Sequence, residues 1–201
     1  VIDPTAFIHA TADIEPEVQI GPGTAIWHRA QVRSGARIGR DCVIGRDVFI
    51  DEGVTLGDRV KVQNGALLYH GVTIGDGVFI GPGAILTNDR RPRALNAAGG
   101  LARAGDWIVS PVHVASGASI GAGAVIVAGC TIGRFALIGA GAVVTHDVPG
   151  HALVVGNPAR QRGWVCACAT GLLDDSGEFA CPACARRYAP DGASLHELVP
   201  A

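Results

Sequence analysis

From Ile2 to Leu86 every sixth residue is Ile, Val or Leu, and after a lapse the same spacing runs from Ile108 to Val144. A helix repeats its apolar face every 3.6 residues and a flat strand every second residue, so neither accounts for a strict six. The residue two before each aliphatic is small or compact: Ala6, Ala12, Thr24, Ala30, Cys42, Val48 and so on to Ala142. Residues two apart on a strand share a face. Each repeat therefore reads as a very short strand, compact-in, free-out, aliphatic-in, closed by a three-residue turn. Glycine follows the aliphatic at Gly21, Gly39, Gly45 and further repeats, where a tight turn uses its backbone freedom. Three strands and three turns close a triangular coil, and residues eighteen apart then stack. Self-similarity at a fixed short period signals a solenoid.

This pattern resembles the hexapeptide repeat, and residues 2–148 resemble a left-handed parallel β-helix. The hand is implied by the resemblance; the general rule for parallel crossovers gives the right hand. The expected class is all-β. Residues 1–150 form the solenoid with one extruded loop at 89–107, residues 151–164 connect, and residues 165–201 form a small separate module.

The lapse carries its own information. It reads DRRPRALNAAGGLARAGDW and holds Arg90, Arg91, Arg93 and Arg103. Long insertions are functional or are loose surface. Stacking puts Asn88, His70, Glu52 and Ser34 in one column of turn residues at the mouth of this loop. An amide over an imidazole over a carboxylate is a candidate polar site, the plain alternative being a solvated corner. A second column, Phe49, Leu67 and Ile85, falls on outward positions that elsewhere hold Asp13, Gln31 and Lys61. An apolar ladder on the outside of a solenoid predicts an interface.

Composition narrows the picture further. The net charge is −2, which gives no electrostatic footprint for nucleic acid. No apolar run is long enough for a membrane span or a signal sequence, so a cytoplasmic protein without membrane contact is expected. Of six cysteines, Cys42 and Cys130 fall on inward repeat positions and read as core. The others, Cys166-Ala-Cys168 and Cys181-Pro-Ala-Cys184, frame a turn-rich stretch and look like a zinc ribbon. Structural zinc on Cys166, Cys168, Cys181 and Cys184 is the expected state, with disulfides or free thiols as the alternatives.

Four segments carry a more specific resemblance: IWHRAQV (26–32), VKVQNGALLY (60–69), GVFIGPGAILTNDRRPRA (77–94) and GAGAVVTHDVPGHALVVGNPARQRGW (139–164). Residues 2–165 resemble bacterial hexapeptide acetyltransferases acting on nucleotide-linked 3-amino sugars. That resemblance implies a homotrimer with acetyl-CoA in the groove between two β-helices. It implies Asn88 and His70 as catalytic residues, although relatives often carry Glu or Asp at the position of His70. Asp89, Arg91, Arg93 and Glu52 would bind the amino sugar, and Gly129, Ala140, Arg160 and Arg162 would bind CoA. Competing readings are an O-acetyltransferase of the same fold, a trimeric scaffold without catalysis, and a γ-class carbonic anhydrase. The last needs three protein ligands on zinc, and the histidine pair with suitable separation, His146 and His151, lies where the repeat ends.

Overall fold

The computed structural model describes residues 1–198 and contains strands, turns and loops, with no helix among them. Three parallel sheets run the length of a triangular prism, forming a left-handed β-helix of the hexapeptide type. The first sheet begins with Phe7–Ile8 and Ala25–Ile26, the second with Asp13–Ile14 and Gln31–Val32, the third with Gln19–Ile20 and Arg37–Ile38. Most strands are two residues long, because a six-residue repeat leaves no more than that between corners. The register is one coil per step: Leu67 pairs with Phe49 below and Ile85 above, and Leu68 with Ile50 and Leu86.

The inward positions do what the period requires. Ile26, Ile44, Ile50, Leu68, Ile80, Ile120, Ile126 and Ile132 are fully buried, and so are Ala30, Ala36, Cys42, Ala66 and Ala84. A large and a small residue alternate around each coil, which lets three walls meet without a void. Each buried aliphatic contributes roughly 1.5–3 kcal/mol, so the axis is the stable part of the molecule. Glycine after the aliphatic has a second reason here: a Cβ at Gly81 or Gly121 would lie 2.5–2.7 Å from the backbone of the next coil.

One expected core residue is not in the core. Ile108 is 85% exposed, and the third sheet resumes only with Val112–Val114, paired to Val72–Ile74. Ile108 keeps the six-residue phase by coincidence and belongs to the extruded loop, which therefore extends beyond residue 107. The loop leaves and re-enters at one corner, where the Ser110 amide donates to the Asn88 carbonyl at 2.9 Å. Inside it, Leu95 bridges Leu101, and the Asn96 side-chain oxygen accepts from the amides of Ala98 and Gly100. Asp106 ties Arg103 and Asn96 together. The loop is thus folded on itself.

At the far end Ala152–Val155 closes the first sheet and pairs antiparallel with Arg160–Trp164. A four-stranded antiparallel sheet, Leu173–Asp175 to Ser194–Leu198, follows.

Candidate active site and metal centre

The corner between the second and third sheets holds the expected column. His70 Nδ1 lies 2.7 Å from the main-chain oxygen of Glu52. A carbonyl can only accept, so Nδ1 carries a proton, and in the Nδ1–H tautomer Nε2 is a lone-pair acceptor. The carboxylate at this corner is Asp51 rather than the expected Glu52. Asp51 is 9% exposed and accepts from the amides of His70 (3.1 Å) and Glu52 (2.8 Å) and from the Arg33 guanidinium (3.0 Å). Glu52 sits at the exposed apex of the turn and meets His70 through its backbone alone.

One coil above His70, Asn88 starts the loop. Thr87 keeps the solenoid closed across the break: its hydroxyl donates to the Ile126 carbonyl at 3.1 Å and accepts from the Ala128 amide at 2.9 Å. Gly129 N donates to the Ser110 carbonyl at 3.1 Å. The main-chain amides of Ser110, Ala128 and Gly129 are therefore all committed. The half-buried Asn88 side-chain amide makes no hydrogen bond among the described residues, so it is uncommitted, as is His70 Nε2 below it.

The base of the loop encloses an open cavity of about 440 Å³ lined by Asp89, Arg90, Arg91, Trp107 and Ile108. Asp89 braces it by accepting from the Arg91 amide at 2.7 Å. Arg90 curls back over the corner, its Nη1 3.6 Å from where a Cβ on Gly129 would stand. Of the expected substrate residues, Asp89 and Arg91 line this cavity. Arg93 does not, and its guanidinium is turned onto the Pro92 carbonyl at 2.9 Å. Arg90 and Trp107 also line the cavity and were not among the expected substrate residues. The signal for Trp107 was present in the apolar Trp107-Ile108 pair, once Ile108 is read as loop.

The residues expected to bind CoA do not converge within one chain. Gly129 shares the Asn88 corner, whereas Ala140 lies on the corner between the first and second sheets, at the opposite edge of the second sheet. Arg160 lines a small cavity of about 170 Å³ with Thr145 and His146, and Arg162 is exposed on the same capping hairpin. His146 and His151 are engaged separately: His146 Nδ1 lies 2.9 Å from the Thr145 hydroxyl and His151 Nδ1 lies 2.9 Å from the Val165 carbonyl.

The four tail cysteines do converge. All six cysteines are free thiols, and the sulfurs of Cys166, Cys168, Cys181 and Cys184 lie within 4.8 Å of one another. Cys166 and Cys184 are 3.5 Å apart, Cys168 and Cys181 3.6 Å. Four thiolates at about 2.3 Å around one tetrahedral ion stand about 3.8 Å apart, so the set fits zinc. The Thr170 hydroxyl and amide hold the Cys168 thiol down at about 6, whereas in the same cluster, against the lowering effect of the Arg186 amide, the Cys166 sulfur and burial push Cys184 up to about 12. Tyr188 is fully buried beneath the cluster. Its hydroxyl is 3.1 Å from Cys166 Sγ and accepts from the Ala167 amide at 3.1 Å, while burial pushes its pKa up to about 12.

Tyr188 also joins the module to the solenoid. The His151 ring lies between Tyr188 and Phe135, with centroids at 4.8 and 5.2 Å, and Ser194 Oγ accepts from the Gly150 amide at 3.0 Å. Burial lowers the His151 pKa below its ordinary 6.5, against a smaller opposing effect of its bond to Val165 and of Glu197. A histidine depressed in the folded state stabilises the fold above its unfolded pKa and loses that contribution as pH falls. Melting temperature is therefore expected to fall more steeply below about pH 6.5 in the native protein than in His151→Asn. Equal slopes in the two proteins would show that His151 titrates alike in the folded and unfolded states.

A solenoid of short parallel strands, interrupted once by a folded loop at a polar corner, is the architecture of a hexapeptide-repeat transferase. The family described as bacterial transferase hexapeptide (six repeats) matches residues 17–52, 53–88 and 111–146, skipping the loop, and the chain belongs to it. A stretch of 75 residues is 41% identical to dTDP-3-amino-3,6-dideoxy-alpha-D-galactopyranose 3-N-acetyltransferase of Aneurinibacillus thermoaerophilus, covering 37% of this chain and 38% of that protein. The chain thus spans under two fifths of the curated relative that it matches. Among solved structures, the acetyltransferase domain of PglB from Neisseria gonorrhoeae in complex with acetyl coenzyme A superposes with a TM-score of 0.51 at 24% identity, over 79% of this chain and 58% of that one. A hexapeptide transferase family protein from Anaplasma phagocytophilum gives 0.54 at 21% identity, over 82% and 78%. These two likenesses establish the fold. No helix among the described residues is long and apolar enough to cross a membrane.

Proposed function

We propose that the protein is an acetyl-CoA-dependent N-acetyltransferase that acylates the amino group of a nucleotide-linked 3-amino sugar. The observation that carries this reading is the 41% identical stretch shared with a 3-N-acetyltransferase of that substrate class. The Asn88 corner supplies chemistry that suits it. The neutral amine attacks the thioester carbonyl, forming the C–N bond and a tetrahedral oxyanion. That intermediate collapses by breaking the C–S bond, and the departing thiolate takes up the proton that the nitrogen sheds. The amides of Ser110, Ala128 and Gly129 are committed, and the free Asn88 side-chain amide is the group proposed to steady the amine or the oxyanion. His70 Nε2 is the proposed relay that takes this proton from the nitrogen and passes it to the thiolate. Arg90 and Arg91 supply positive charge for an anionic substrate.

The reading includes a homotrimer acting in the cytoplasm and one structural zinc ion in the module of residues 165–201. Support for the trimer comes from the second sheet, where Gln31 gives way to Phe49, Leu67, Ile85, Val125 and Val143 in one outward, half-buried column. The expected ladder is thus two residues longer than the sequence pattern indicated. Leu67→Asp is expected to dissociate the oligomer, since it buries a charge in an apolar contact. Light scattering that finds the variant trimeric would remove this face as the interface.

The functional test is acetyl transfer from acetyl-CoA to UDP- and dTDP-linked 3-amino sugars, read as thiol release and as one acetyl added in the mass spectrum. A product cleaved by hydroxylamine would be an ester and would turn the reading to O-acetylation. The absence of any transfer would favour the non-catalytic scaffold.

A further inference from the structure

A cavity of about 520 Å³ lies in the seam where the tail docks on the solenoid, within the range of about 300–1,000 Å³ that small-molecule sites occupy. One wall is the corner between the third and first sheets. It carries Arg134 and Phe135 and, one coil up, His151, whose amide donates to the Arg134 carbonyl at 2.8 Å. The other wall is the last strand, Ser194–Leu198, through Ser194, Leu195 and Glu197.

Solenoid and tail bring opposite charges to this seam without pairing them. The Arg134 side chain makes no ion pair or hydrogen bond among the described residues, and its guanidinium rests over the Phe135 ring at 5.6 Å. Glu197 gives one oxygen to Arg186 at 3.2 Å and keeps the other. Ser194 Oγ accepts from the Gly150 amide, so its hydroxyl hydrogen is left to donate. His151 is only 6% exposed, and its Nδ1 is committed to the Val165 carbonyl. Its Nε2 has no partner among the described residues, yet no buried side-chain nitrogen or oxygen among them is left unsatisfied. Nε2 therefore reaches open space, and the cavity is the space that the ring lines. Burial disfavours the charged ring, and in the Nδ1–H tautomer Nε2 is a lone-pair acceptor.

Two donors, Arg134 and Ser194, and two acceptors, His151 Nε2 and Glu197, thus meet the apolar Phe135 and Leu195 in one cavity. We propose that this seam binds a free amino acid with an apolar side chain. Its carboxylate meets Arg134 and Ser194, its ammonium meets His151 and Glu197, and its side chain lies against Phe135 and Leu195. A simple anion leaves Glu197 and the imidazole lone pair facing it, and a simple cation leaves Arg134 without a partner. A zwitterion answers both ends. Because the bound molecule touches both walls, it favours the docked tail over the undocked one. The Asn88 corner lies between the second and third sheets, so this site stands apart from the function proposed above.

The test is calorimetric titration of the full chain with leucine, isoleucine, valine, methionine and phenylalanine, and then with the N-acetyl and amide derivatives of the tightest of them. The N-acetyl compound lacks the ammonium and the amide lacks the carboxylate. Each is expected to bind about tenfold or more weakly than the parent, the scale of one hydrogen bond to a charged group. Arg134→Gln is expected to weaken the parent about as much and to leave the amide derivative at its wild-type affinity. Glu197→Gln is expected to do the same with the N-acetyl derivative. Both side chains are exposed, so the free variants should melt as the native protein does. The derivative titrations use the native chain and decide the matter even where a variant folds poorly. An N-acetyl derivative or inorganic phosphate that binds as tightly as the parent makes the cavity an anion site and overturns the proposal. An amide derivative that binds as tightly makes it a cation site and overturns it too. No saturable binding of any of the five amino acids overturns the site itself.

Discussion

Asn88→Ala is expected to lower the turnover of a nucleotide-linked 3-amino sugar by about 10²-fold or more, the scale of one lost transition-state hydrogen-bond group, about 2.7 kcal/mol. The expectation rests on the main-chain amides that close the corner being already used. The amides of Ser110, Ala128 and Gly129 are spent on closing the loop base and the coil. An alanine leaves the Asn88 carbonyl in place, and Thr87 still clamps the corner, so the fold and its melting temperature should be kept. His70→Ala is expected to cost less. Its ring hydrogen bond goes to a carbonyl that water can satisfy, and a sugar amine flanked by electron-withdrawing oxygens is less basic than lysine. Wild-type turnover in Asn88→Ala would refute the location of the site. Equal losses in both variants would make His70 an obligate base.

The axis of the molecule was legible because its order is local and periodic. Each inward Ile or Val is fixed by a six-residue phase that any coil reveals, and the stacking rule that aligns Leu68 with Leu86 also put His70 beneath Asn88. The same rule failed where phase and role part company. Ile108 has the right phase and the wrong place, because a loop of suitable length returns the chain in register without burying its last residues. At the turns the period fixes position along the coil but not side-chain direction. Asp51 and Glu52 are adjacent acids, and only the direction of the turn decides that the first folds under His70 and the second faces water. The docking of the tail through Phe135, His151 and Tyr188 had no signal at all, since those residues lie far apart in sequence and share no repeat.

Removing the zinc proposed for the tail is expected to unfold residues 165–198 while leaving the solenoid intact. The two parts have separate cores. The solenoid buries a continuous column from Val18 to Val154. Among the described residues the module's own core cluster is Cys166, Cys181, Tyr188 and Leu195, with Trp164, Leu172 and Phe179 packed against it. A core of that size supplies little of the free energy needed to order some thirty residues. Four thiolates on zinc supply on the order of 10 kcal/mol, and with every ligand a cysteine the site is closed to catalysis. Purified protein should therefore hold one zinc per chain by elemental analysis. A strong chelator, or Cys181→Ser at a buried ligand, should abolish amide-exchange protection from Cys166 to Leu198. Protection at Ile50, Leu68 and Ile126 should remain. Cys42→Ala, which touches a core thiol remote from the cluster, should leave the metal content unchanged. Zinc-free protein with the tail still protected would show that the buried Tyr188 and Leu195 suffice, with the four cysteines held as free thiols.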